Sequence, residues 1–471
     1  MDIFLDQIIV GIFLFILVSV SFYNIREIEN FNAFALGRKT FSTFALGSTI
    51  LATWISGSGF ILDLSEFYFQ GFAYFYASIG MCLTLTIVAT ILVPRMQRFL
   101  GKLSLATIMT EHYGKKVGII TAVSGLFVSS GSIYVQFKIM GMGLHYIFPF
   151  FSEMSCIFLS SCIVILYSFT GGINSVVTTD KIQAICFALA IVIGLTLILS
   201  KLNDTPTTIT PERFRWDDFL HLDINNKIDI ILLFLYFLIP GLKPDVIQRI
   251  SMGLSLQQVK KSYLYSSFGL FIILCLSCLL SYCLFLINPN ITDRTTIFSE
   301  LLTVYDIKGT KAIVIIGLLA MCMSTADSKL NIASVIFAND IFFPNKTNKY
   351  QKLTIARYST ILIGFCAILF SFKDGFLLDI ILFLMCFYTP IVTIPLFAII
   401  FNKKTSERCC LISMICSFIF VLLFKLILKS NFNINIIALL LNLITLISSH
   451  YIIEKWNLLA CIGIKSQLNK E

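Results

Sequence analysis

Four oxygen-bearing side chains, Ser324, Thr325, Asp327 and Ser328, fall within little more than one helical turn of an apolar stretch running from about residue 312 to 337. That stretch is long enough to span a bilayer. Hydroxyl and carboxylate oxygens are hard donors that suit a small hard cation. Helical spacing sets Ser324 beside Asp327 and Ser328. The carbonyl of Met321, one turn earlier, adds an oxygen if its helical bond is displaced. A carboxylate in hydrocarbon costs at least ~2.5 kcal/mol even on the lenient insertion scale, so it takes a partner or faces water. The competing expectation is that the hydroxyls bond back to carbonyls four residues earlier, while Asp327 pairs with Lys329 or another helix. The spacing alone leaves both open.

A cation cradle at that depth needs backbone that has left helical geometry. Two stretches supply it. Gly47–Gly59 carries Ser56-Gly-Ser-Gly59 in mid-span, and unwound backbone is tolerated there only where it lines a cavity or lies within protein. Small-residue helix packing also explains such spacing. Leu238-Ile-Pro-Gly-Leu-Lys-Pro-Asp245 holds Pro240 and Pro244, which remove two backbone donors and force a break. Interrupted helices about five spans apart point to an inverted-repeat transporter with its site near the midplane. Asp180, beside Lys181, is expected either to pair with that lysine near a helix start or to face Asp327 and share a cation.

Composition sets the class. Of 471 residues, 57% are hydrophobic and 13% charged, with 45 Phe and a mean hydropathy of +0.90. A soluble globular protein carries about twice that charged fraction. A polytopic membrane protein follows, and the net charge of +9 reads as positive-inside loops rather than nucleic-acid binding. Spans are expected at about 4–23, 43–68, 72–93, 117–148, 152–169, 174–200, 228–248, 263–287, 310–337, 353–372, 375–400, 408–428 and 433–452. The first reads as a retained anchor rather than a cleaved leader. With the N-terminus outside and the C-terminus inside, twenty-two Lys and Arg fall on the inner side and nine on the outer. Cys275 and Cys278 lie mid-helix, where packing rather than metal or redox chemistry is expected. No Gly-Lys-Ser/Thr phosphate loop occurs, which argues against ATP-driven pumping.

Together these residues resemble the sodium:solute symporter family, which includes sodium/proline, sodium/pantothenate, sodium/sialic acid and sodium/glucose carriers. The likeness runs from about Phe34 to Ala398. It is carried by Met-Ser-Thr-Ala-Asp-Ser-x-Leu at 323–330 and Gly-Gly-x-x-x-Val-x-x-Thr-Asp-x-x-Gln at 171–183. Gln248-Arg249 and the run from Leu105 to Gly114 support it. The resemblance implies an all-α, LeuT-type bundle of two inverted five-helix repeats with one helix before and two after. The repeats map to 43–200 and 228–400. Segment 1–42 forms the leading helix and inner loop, 201–227 an external cap, and 401–471 two last helices and a cytoplasmic tail. Carried over, the sodium site common to the fold falls on Ala52, Ile55, Met321, Ser324 and Thr325. A second sodium or proton site falls on Asp180, Asp327 and Ser328 with Ser324. Asp327 stands where some members have a hydroxyl. Solute contacts are expected from Trp54, Ser56, Ser58, Lys138, Tyr236, Lys243 and Pro244. Lys138 or Lys243 would hold an anionic group, unless Lys243 pairs with Asp245 or Lys138 snorkels to an interface.

The implied function is sodium-coupled symport of a small organic solute, with carboxylates and amino acids as expected classes, across the plasma membrane. The coupling ion is Na+, the surroundings are lipid, and neither nucleic acid nor an obligatory protein partner is expected. No enzyme chemistry is expected: the four His fit no metal or triad spacing. Rival readings are a proton-coupled carrier of the same fold, a solute sensor without turnover, and a channel.

Overall fold

Serines start the helices around the site. In the computed structural model, the backbone N–H of Ala45 donates to Ser42 Oγ (3.1 Å), that of Gly59 to Ser56 Oγ (3.0 Å), and that of Thr107 to Ser104 Oγ (3.0 Å). Each satisfies a first-turn donor that has no helical partner. The structure describes residues 2–23, 30–37, 41–203, 212–305, 307–343, 349–372, 384–427 and 431–468. Among these the regular elements are all helical. They are α1 (Asp2–Tyr23), α2 (Phe31–Leu36), α3 (Thr43–Trp54), α4 (Gly57–Ile87), α5 (Leu105–Tyr113), α6 (Lys115–Ile147) and α7 (Glu153–Asn203). There follow α8 (Asp218–His221), α9 (Ile224–Leu238), α10 (Pro244–Ser251), α11 (Leu256–Ile287), α12 (Ile297–Val304) and α13 (Thr310–Ile336). The last are α14 (Lys349–Ser371), α15 (Thr389–Ile400), α16 (Glu407–Ile427) and α17 (Asn431–Leu468).

Eight helical stretches among the described residues are long and apolar enough to cross a membrane. Two are too long for one crossing: 39 residues from Gly57 and 50 from Glu153 rise about 58 and 75 Å, against a hydrocarbon core of ~30 Å. Each is folded at a glycine with positive φ, Gly71 (54°) and Gly172 (49°). These are the expected boundaries between 43–68 and 72–93 and between 152–169 and 174–200. Gly172 also takes the close approach of Phe34, which a Cβ would meet at 2.7 Å. The first part of the expected span 375–400 and part of the expected cap 201–227 lie outside the described residues, as do Arg26, Arg38, Lys39, Lys346, Lys373, Lys429 and Lys470.

The two expected interruptions are present, the first at a shifted position. Helix α3 ends at Trp54, Ile55 and Ser56 are extended, and α4 restarts at Gly57. Gly57 and Gly59 are therefore first-turn residues of α4 rather than the unwound segment itself. An ideal Cβ on Gly57 would lie 2.1 Å from Cys322 Sγ, so this glycine lets α4 close on α13. The second break runs from Ile239 to Lys243, and Pro244 opens α10 at the position where a missing N–H costs nothing. Helix α13 is the axis of the molecule. It is buried almost throughout, packs along α6 and α7, and meets α3 and α4 at the first break.

Candidate cation and solute site

The polar residues of α13 point inward and are buried, so each must find a partner. Ser324 donates to Asp180 Oδ1 of α7 (2.5 Å), and Thr49 of α3 donates to Asp180 Oδ2. Asp180 thus ties three helices together. It lies two turns beyond Gly172, and its neighbour Lys181 is exposed, so the expected helix-start pairing with Lys181 does not occur. Asp327 accepts from Tyr167 Oη (3.0 Å) and Thr179 Oγ1 (3.5 Å), both on α7. It does not pair with Lys329, because residues two apart on a helix face different sides. Lys329 instead reaches Asp245 of α10 (2.8 Å). Lys243, the alternative partner, stays near Asp245 without a contact at ion-pair distance.

One cation missing from the expected ligand set occupies this centre. Arg249 of α10 is 1% exposed; its Nη2 donates to Ser328 Oγ (2.6 Å) and Thr53 Oγ1 (3.2 Å) and lies 3.9 Å from Asp180 Oδ2. In the sequence Arg249 stands out as part of the Gln248-Arg249 match and as one of the Lys and Arg assigned to the inner side; the structure instead buries it between α3, α7 and α13. Its partners lie 79 and 196 positions away, and no local pattern announces them. Thr49, Thr53, Tyr167 and the Asp245–Lys329 pair were missed for the same reason.

The expected common cation residues gather around a small cavity of about 90 Å³. Ala52, Ile55, Met321 and Ser324 line it, with Gln183 and Phe187 of α7. Ala52 lies in the last turn of α3, where carbonyls have no helical partner. Thr325 Oγ1, one residue along, is buried and has no hydrogen-bond partner among the described residues. Among the described residues, no three His, Cys, Asp or Glu side chains cluster as a metal centre. The oxygens these residues carry, the hydroxyls of Ser324 and Thr325 and the backbone carbonyls, would suit a hard cation rather than a transition metal.

A larger cavity of about 490 Å³ lies against the two breaks. Trp54, Tyr236 and Lys243 line it, as do Asp63, Asp245 and Lys329. A second cavity of about 260 Å³ is lined by Ser58 and Lys138. Lys138 and Lys243 thus face different cavities, and the structure does not bring them together. Between the two cavities stands an ion pair of Glu66 with Arg294, reinforced by Gln70, and both charged residues line both cavities. Ser58 Oγ accepts from Gln136 Nε2 (2.8 Å). Ser56 is the cap of α4. Pro244 is buried, its ring near Gly125 of α6, and lines neither cavity.

Comparison with known proteins agrees with this architecture. A sodium/sialic acid symporter, NanT of Aliivibrio fischeri (strain ATCC 700601 / ES114), is 23% identical over 306 residues. The match spans 58% of this chain and 58% of that relative, little more than half its length. Among solved structures, a Na+-coupled sialic acid symporter in a substrate-bound, outward-open state superposes with a TM-score of 0.75 at 19% identity, covering 94% of this chain and 96% of that one. Mhp1, a nucleobase-cation-symport-1 family transporter solved in a closed conformation with bromovinylhydantoin bound, gives 0.53 at 10% identity over 90% and 95%. These likenesses establish a LeuT-like transporter fold. The model of the sodium:solute symporter family matches residues 34–417. An integral membrane protein with eight apolar crossing-length helices among its described residues, this chain belongs to the sodium:solute symporter family.

Proposed function

We propose that this protein is a sodium-coupled symporter that imports a small organic solute by alternating access. The observation that carries the reading is the small cavity at the first break. Ala52, Ile55, Met321 and Ser324 line it, and the hydroxyl of Thr325, the next residue on α13, is buried without a hydrogen-bond partner among the described residues. A buried hydroxyl without a partner forfeits about 1–3 kcal/mol, which a cation would restore. In this reading Na+ is cargo. It clips α13 to the end of α3, stabilising the arrangement that holds solute in the neighbouring cavity, so each ligand improves the other's binding.

The proposed architecture is two inverted repeats, 43–200 and 228–400, each with its broken helix first. The flanks are 1–42, 201–227 and 401–471. The Lys and Arg distribution supports an N-out, C-in orientation in the plasma membrane, which sets the cavity of Ser58 and Lys138 on the outer side. Closing would rock the bundle against its scaffold around the fixed site. One Na+ entering down ~100 mV supplies about 2.3 kcal/mol. A tenfold gradient adds roughly 1.4, enough together for a few-hundredfold accumulation of an uncharged solute. Asp180, Asp327 and Ser328 remain the proposed place for a second cation. With Arg249 hydrogen-bonded to Ser328, that guanidinium must first withdraw.

The test is uptake in proteoliposomes. Ser324→Ala and Thr325→Ala are expected to cut sodium-driven accumulation by about tenfold or more while the purified proteins keep their unfolding temperatures to within a few degrees. Unchanged sodium dependence in both variants refutes the assignment. Uptake that persists without sodium and collapses with a protonophore selects the proton-coupled rival.

A further inference from the structure

Charge facing a cavity within a membrane protein must be balanced by a partner, by water or by what the cavity holds. Six acidic or basic side chains line the central cavity: Asp63, Glu66, Lys243, Asp245, Arg294 and Lys329. Four of them cancel in pairs, Lys329 with Asp245 and Arg294 with Glu66. Two are left. Lys243, at the end of the second break, is near enough to feel the Asp245 carboxylate, but that carboxylate is held by Lys329, and the Lys243 side chain makes no ion pair or hydrogen bond of its own among the described residues. Asp63, on α4 two turns past the first break, accepts one hydrogen bond, from Tyr74 Oη (2.8 Å), and no cation among the described residues pairs with it. Lys243 and Asp63 do not pair with each other. The lining is therefore neutral in sum but dipolar: Lys243, Lys329 and Asp245 together carry one excess positive charge, and Asp63, Glu66 and Arg294 together one excess negative charge.

The geometry points to an amphoteric solute, carrying a carboxylate that meets Lys243 and a protonated amine that meets Asp63. A plain carboxylate would neutralise Lys243 and leave the acid facing it. A neutral sugar would answer neither pole. Trp54, Phe60, Tyr236 and Phe237 line the same cavity and receive the solute's apolar body. Its volume, about 490 Å³, falls in the range of small-molecule sites. This assignment rests on the transport reading above and deepens it.

The experiment is a thermal-shift titration of the purified full chain with matched probes. These are the standard amino acids and the hydroxy acids, carboxylic acids and amines that share their side chains, with glucose and N-acetylneuraminate as outgroups. At least one amino acid is expected to bind about tenfold or more tightly than each of its three truncated counterparts. Lys243→Gln is expected to weaken the carboxylate-bearing probes about tenfold and leave the amine unaltered. Asp63→Asn is expected to bring the amino acid level with its deaminated acid, and Lys243→Arg and Asp63→Glu are expected to retain the wild-type ranking. A deaminated acid or an outgroup that binds as well as every amino acid overturns the inference. So does an Asp63→Asn protein with an unchanged ratio, or no response to any probe in protein that sodium stabilises. Repeating the titration with potassium for sodium separates the two readings. Amino acid preference without sodium dependence sinks symport alone, and sodium-dependent binding of a plain anion or sugar sinks this inference alone.

Discussion

Asp245 has a lysine on either side, and only Lys329 holds it. The pair is almost fully buried, and Asp245 Oδ1 has no hydrogen-bond partner among the described residues. Removing one member of such a pair strands the other charge, which costs about 3–5 kcal/mol, whereas replacing both by apolar groups is far less damaging. Asp245→Leu is therefore expected to destabilise strongly, and Asp245→Leu with Lys329→Met to recover most of the loss. Thermal unfolding of the purified single and double variants, set out as a mutant cycle, measures the difference. A double variant whose loss equals the sum of the two single losses would show that the pair is not coupled. At the same scale, Arg249 binds Ser328 and Thr53 in the polar centre, where the sequence left room for a second metal ion. A fixed guanidinium and a mobile cation cannot use the same oxygens at once.

The element that decides the site is the junction of α4 with α13. Gly57 is the point of closest approach, and any side chain there meets Cys322 Sγ. Forcing a methyl into a packed contact costs about 1–3 kcal/mol and moves helices apart. Gly57→Ala is expected to lower the unfolding temperature and to weaken sodium-stimulated uptake, because Ser324 lies on α13 and Ile55 and Ala52 lie at the break immediately before the displaced start of α4. Cys322→Ala removes the clashing sulfur, so Gly57→Ala with Cys322→Ala should restore most of both. A double variant as impaired as the single would mean that the contact is not what sets the junction. The helices themselves follow from local chemistry: Ser42, Ser56 and Ser104 cap starts, and Pro244 can occupy only a first turn without loss. Gly71 and Gly172 turn the chain between crossings in a conformation that side chains other than glycine rarely adopt.

Across the whole molecule, the charge moved per cycle follows from what fills the central cavity. One Na+ with an amphoteric, net-neutral solute carries one positive charge inward, so dissipating 100 mV should reduce accumulation roughly 50-fold. A simple monoanion with one Na+ would be indifferent to the potential. Proteoliposomes clamped at different potentials with valinomycin and potassium distinguish the two. The sequence by itself determined the membrane class, since 13% charge cannot solvate a chain of this hydropathy. It also determined the two interruptions, which proline chemistry and mid-span glycine–serine runs make local, and the inward polar face of 324–328, which lies within one helical turn. Only the tertiary structure decided who meets whom. Arg249 reaches Ser328 across 79 positions and Thr49 reaches Asp180 across 131. Lys138 and Lys243 part into separate cavities, and Lys243 and Asp63 line one cavity without pairing with each other. Hydrophobicity and backbone breaks are written residue by residue. Charge pairing depends on which helices lie side by side, and that is set by the packing of the entire bundle.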